Sequence, residues 1–211
     1  PVLIVRGNHD TRGDLAIFAH LATPHPIRVF EEPDVIVVGE LAVAILPWLE
    51  RVLPAEELAG LSTAEAMARE EEALLAVLRG LGERIAKHDG KRLFVGHLML
   101  RGSVPRTGQP LKQAKEFELS LAHLAMVPAD AYLLGHVHAA QEWFIGASPV
   151  LYNGSLRRTI SGEVEEKYLT FVEISDTAET RVERVPTPAT PMLLIEDAWI
   201  DTPLGWSWRL N

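Results

Sequence analysis

The chain has 211 residues, 47% of them hydrophobic and only 7% aromatic, enough for one domain with a full core and a small appendage. It contains no cysteine, which excludes disulfides and thiolate chemistry and leaves histidine, asparagine and carboxylates to hold any metal. The formal net charge of −9 argues against a basic nucleic-acid coat protein, whose affinity rests on neutralising phosphates, but a carboxylate-rich metal site is itself acidic until its ions bind.

In chain order, Val2–Arg6 reads as a short strand feeding a glycine turn, and Asp14–Leu21 as a helix behind it. Ile27–Phe30, Val35–Val38 and Leu41–Leu46 follow as strands, with turn-like pieces between them that suit hairpin pairing at the side of a sheet. The apolar runs are strand-length, too short to cross a membrane. With no basic leader before the first charged motif, a cytoplasmic location is expected. Thr63–Lys87 is rich in alanine, leucine, glutamate and arginine at helical spacing, with Ser62 placed to cap it and Asp89-Gly90 to end it, so an amphipathic surface helix is predicted.

Arg92–Val95 reads as a buried strand ending in Gly96-His97, and Ala131–Leu134 as another ending in Gly135-His136-Val137-His138. The intervening Leu98–Glu118, rich in Gly, Pro, Lys and Arg, reads as a functional loop. Further strands are predicted at Glu142–Phe144, Val150–Tyr152, Tyr168–Ile174 and Thr180–Val185. After the Pro186–Pro191 linker, the Trp-rich tail to Asn211 reads as the start of another element.

Three strand ends carry the chemistry. Gly7-Asn8-His9-Asp10 puts an amide oxygen, an imidazole and a carboxylate on one tight turn, and its glycine lets the backbone bend. Alone, such a turn is more often just a capped loop. His136 and His138, two apart on an extended segment, project to one side and can reach one metal ion or two neighbouring ones, although a pair of solvated loop histidines has the same spacing. His97 adds a third glycine–histidine junction. Strand C-termini are where α/β folds place ligands, so the three are expected to converge in one cleft.

This order of motifs resembles the calcineurin-like metallophosphoesterases, whose third to fifth motifs are Asn-His-Asp/Glu, a lone His, and Gly-His-x-His. Gly96 through Gln141, the Val150–Ser155 piece "VLYNGS" and the Gly162–Lys167 piece "GEVEEK" are similar to the nuclease subunit of the SbcCD type, and "PTPATPMLLI" at Pro186–Ile195 to the entry of its small capping domain. The resemblance implies an α/β (α+β) fold, a four-layer αββα sandwich, with residues 1–175 as the C-terminal portion of the nuclease domain and 176–211 as linker and start of a cap. The family's first two motifs, Asp-x-His and Gly-Asp-x-x-Asp, have no counterpart here and are expected upstream of Pro1.

By position, the resemblance implies that Asn8, His97 and His136 bind the second metal and His138 the first, that His9 contacts the scissile phosphate, and that Asp10 orients His9. Two divalent ions roughly 3.5–4 Å apart clamp an in-line displacement at phosphorus. Manganese is the expected metal, with magnesium, iron or zinc as alternatives. DNA, an SMC-like ATPase subunit and a second copy of the chain are the implied partners, and no membrane. A nucleotide or small-molecule phosphodiesterase, and a degenerate non-catalytic binding module, are the alternative functions.

Arg101, Arg106, Lys112 and Lys115 on the long loop, and Arg157 and Arg158 after the "YNGS" turn, are candidates to guide a phosphate backbone, though a solvated loop has the same composition. His20, His25, His88 and His123 lack a motif and are assigned surface or helix-end roles. Trp206 and Trp208 are assigned to packing.

Overall fold

Aliphatic runs without polar alternation suit strands covered on both faces, and the longest of them sits at the heart of the molecule. The computed structural model describes residues 1–104, 117–159, 163, 165–175 and 179–190, together with the backbone of 197–202 and 205–210. β1 (Val2–Val5) pairs in parallel with β2 (Ile27–Phe30) as a separate ribbon. β3 (Asp34–Val38), β4 (Leu41–Leu46), β5 (Lys91–His97), β8 (Ala131–Gly135), β9 (Gln141–Ile145) and β10 (Ser148–Tyr152) form a six-stranded sheet in the order β3-β4-β5-β8-β10-β9. Its four inner strands run parallel and its two edge strands antiparallel. In β4 every residue from Ala42 to Leu46 is buried. The molecule is thus mixed α/β, with a central mixed sheet and few helices among the described residues.

The long helix is α2 (Thr63–Ile85). Ser62 and Glu65 close a capping box at its start, satisfying two of the orphan backbone donors there. Leu74, Leu78, Leu81 and Ile85 recur at the 3–4 residue spacing of one face and are buried against β3 and β4. A short 3-10 turn, Ala55–Leu58, precedes it.

The structure corrects several sequence expectations. The helix expected over Asp14–Leu21 is one turn, α1 (Ala16–Ala19), with no side-chain cap and no buried residue to hold it longer. Ile27–Phe30 is not a hairpin neighbour of β3; only β3 and β4 make the hairpin, and β2 pairs with β1 instead. The stretch expected to be one long loop contains β6 (Met99–Leu100) and β7 (Glu118–Leu119), paired in parallel, while residues 105–116 lie outside the described residues. A one-turn helix, α3 (Leu121–Leu124), was not foreseen; Ser120 caps it, and His123 returns the bond. β11 (Tyr168–Glu173) and β12 (Arg181–Pro186), both predicted as strands, pair as an antiparallel ribbon. The tail forms a second ribbon, β13 (Asp197–Thr202) with β14 (Gly205–Leu210). Among the described residues, no helix is long and apolar enough to cross a membrane.

Candidate functional site

Parallel strands end on the same side of a sheet, and this brings the sequence motifs together. His97 is the last residue of β5, opposite Gly135 in the neighbouring β8, and His136 follows at once. Asn8 comes from the turn after β1, whose end is tied to the segment after β4 by Trp48 N–H donating to Arg6 O at 2.9 Å. Asn8 Oδ1 lies 2.9 Å from His97 Nε2 and 3.4 Å from His136 Nδ1.

Two glycines make room for this convergence. A Cβ on Gly7 would stand 2.8 Å from His97 Cε1, and one on Gly135 would stand 2.9 Å from His97 Nδ1. The His97 ring occupies the slot that both leave open. Gly7 does not have a positive φ, so space for the imidazole, rather than a backbone bend, is what requires it.

Two residues without a motif complete the cluster. The Trp48 indole stacks on His136, with centroids 5.1 Å apart and planes at 28°, and meets His97 edge-on at 6.1 Å. Arg6 is buried; its guanidinium donates to Trp48 O, to Asp10 O at 3.4 Å, and to Glu50 at 3.1 Å. It therefore staples the Asn-His-Asp turn to the chain leaving β4. Sequence signals existed for both: Trp48 follows the end of a third parallel strand, and Arg6 is the charged residue that ends an apolar run. His136 has φ 106°, the one positive φ outside glycine among the described residues. Such conformations cost on the order of 1–3 kcal/mol and collect at functional sites.

Burial pushes the His97 imidazole down to about 3, and the neighbouring His136, His9, Arg6 and His138 add to the effect. The ring is neutral at physiological pH, as a metal ligand must be. His138 is held apart from the other two: its Nδ1 lies 2.8 Å from Glu163 Oε1 and 3.1 Å from Thr159 Oγ1. Burial raises the Glu163 carboxyl, but bonds from Lys167, His138 and Thr159 outweigh this and bring it down to about 2. Sequence reasoning assigned Glu163 no role.

His9 is exposed and lines an open cleft with Asn8, Asp10, Thr11, Arg12 and Glu50. Asp10 does not reach His9 by any hydrogen bond among the described residues. Its Oδ2 accepts the Gly7 N–H at 2.8 Å, so it shapes the turn that carries His9 rather than gripping the ring. Arg101 pairs loosely with Glu118 at 3.9 Å and lines a groove against α2 with Met67, Glu71, Leu75 and His123. Arg106, Lys112 and Lys115 lie outside the described residues. Arg157 is exposed, whereas Arg158 donates to the backbone oxygens of Glu165, Ala189 and Thr190 and serves the fold. Of the other histidines, His88 bonds Glu40 O just beyond α2, His123 caps α3, His20 follows α1, and His25 is exposed. The side chains of Trp206 and Trp208 are not among those described.

Among the described residues no three or more His, Asp or Glu side chains gather as a metal cluster; the convergent donors are two imidazoles and one amide oxygen. Ligand atoms bound at about 2.1 Å and roughly 90–109° apart lie about 3.0–3.4 Å from one another. The 2.9 and 3.4 Å separations around Asn8 Oδ1 fall close to that spacing. The two imidazoles suit a divalent ion of borderline hardness, such as iron or zinc, and the amide oxygen also suits the harder manganese. No protein-family model matches the chain, and no curated protein matches it.

Proposed function

We propose that this chain contributes to the metal centre of a two-metal phosphoesterase of the calcineurin-like type, acting as a DNA exonuclease alongside an SMC-like ATPase. On this reading the central sheet is part of a four-layer αββα sandwich. The observation that carries the proposal is the meeting of Asn8 Oδ1, His97 Nε2 and His136 Nδ1 from three separate strand ends.

Asn8, His97 and His136 would hold one ion and His138 would serve the other. Two divalent ions would supply Lewis-acid activation of water and charge neutralisation at phosphorus. The chain's own contribution is placement. Arg6, Gly7 and Asp10 fix the turn so that His9 stands exposed at the cleft, where it can contact a phosphate oxygen or protonate a leaving oxygen. Trp48 keeps His136 flat against its indole and so limits how the strained ligand can rotate.

The test is made on the whole protein. Linear duplex DNA should be degraded in the presence of manganese, and His9→Ala should abolish degradation while leaving bound metal, counted by elemental analysis, unchanged. Hydrolysis of bis-p-nitrophenyl phosphate with DNA left intact would move the substrate to small phosphodiesters. Failure to bind two ions would overturn the phosphoesterase reading.

A further inference from the structure

Ser155, Thr159, Glu163 and Lys167, all after β10, gather around His138 in a polar network to which the motifs assign no role. Glu163 and Lys167 are both buried, and Lys167 Nζ stands 2.8 Å from Glu163 Oε2. The same oxygen accepts from Thr159 N at 3.1 Å and Ser155 Oγ at 3.2 Å. The other, Oε1, accepts from Thr159 Oγ1 at 2.9 Å and faces His138 Nδ1 at 2.8 Å. Lys167 also donates to His138 O at 3.3 Å, and Ser155 N to the same carbonyl at 3.1 Å, so backbone and ring of His138 are held together.

The proton inventory has one solution for a neutral ring. An ionised carboxylate only accepts, so the imidazole nitrogen beside it must carry the hydrogen. Thr159 has already given its proton to Glu163 and can offer His138 Nδ1 only a lone pair. Among the described residues, the two side-chain oxygens beside Nδ1 are therefore both acceptors. Lys167 supplies the countercharge that lets a carboxylate sit in this buried place, where removing one partner of such a pair is strongly destabilising.

We propose that Glu163, neutralised by Lys167, is the positioning residue of His138: it fixes the ring with its proton on Nδ1 and commits the Nε2 lone pair to coordination. The coordination half rests on the metal reading above; the tautomer half does not.

The experiment uses the whole protein labelled with ¹⁵N-histidine, followed by long-range ¹H–¹⁵N correlation at pH 7.5 with and without zinc. In the wild type, His138 Nδ1 should show a protonated signal and Nε2 an unprotonated one before any metal is added. In Glu163→Gln, whose amide can donate as well as accept, the two tautomers should interconvert, and zinc binding read at His138 Nε2 should weaken about 10–100-fold, the usual cost of losing such a partner. Thr159→Val, which keeps the carboxylate, should retain the wild-type tautomer. A proton on Nε2 in the wild type overturns the proposal even if Glu163→Gln does not fold. Equal tautomer and equal zinc affinity in wild type and Glu163→Gln also overturn it, leaving the metal reading intact. A locked tautomer in a protein whose His138 never responds to zinc supports the positioning role and removes the metal reading instead.

Discussion

Acidification in a metal-free buffer should weaken the fold through His97. The ring is held to about 3 in the folded protein, against 6.5 when free. Below 6.5 the unfolded chain takes up a proton here that the folded chain refuses. The stabilising contribution is therefore complete above 6.5 and is lost as the pH falls toward 3. Within that window each pH unit costs about 1.4 kcal/mol, so roughly 2 kcal/mol is lost between pH 6.5 and 5. Glu163, brought from 4.5 to about 2, has the same sign but acts only below 4.5, outside the measured interval. Urea unfolding at pH 7 and pH 5, with chelator present, measures the difference. The wild type should lose about 2 kcal/mol more over that interval than His97→Gln, which has no proton to take up. Parallel losses in the two proteins, or a His97 NMR titration with a midpoint near 6.5, would refute the reasoning.

Gly7→Ala should lower stability by about 1–3 kcal/mol, since the new methyl must displace the His97 ring; denaturant unfolding measures this, and loss of the His97–Asn8 bond should appear as altered His97 ring shifts. At His136, whose φ is 106°, the glycine variant should be more stable than the alanine variant by about 1 kcal/mol, read from chemical denaturation of the pair. Tyr152→Phe should cost about 1–3 kcal/mol, because the buried hydroxyl accepts from Leu100 N and donates to Leu98 O, and both groups would be left unpaired; a thermal melt that matches the wild type would contradict that account.

The strands β3, β4, β5, β8 and β10 and the helix α2 were legible because their signals are local: apolar runs cut by Gly and Pro, and Ser62 with Glu65 three residues on. The pairing of β2 with β1 was not, since register between strands more than twenty residues apart depends on what each can bury after collapse. The site divides the same way. Asn8, His97 and His136 announce themselves as polar residues at strand ends, and the sheet brings them together. The partners of Asp10 and Arg101, Gly7 N and Glu118, carry no sequence signal of their own. Glu163 and Lys167 lie in the "GEVEEK" piece that carries part of the resemblance, but nothing local shows that a carboxylate and an ammonium four residues apart will be buried together.

Asn8 is separated from His97 by 89 positions in the chain and from His136 by 128. Asn8 lies in the turn that follows the β1–β2 ribbon, which is not part of the six-stranded sheet whose strand ends present the two histidines. The cluster is therefore a junction between two independently hydrogen-bonded pieces, and Arg6 and Trp48 are its hinge pins. A ligand seated there would act as a clasp, and the rate at which it escapes would report how often the ribbon lifts away from the sheet, a local opening invisible to any measurement of global unfolding.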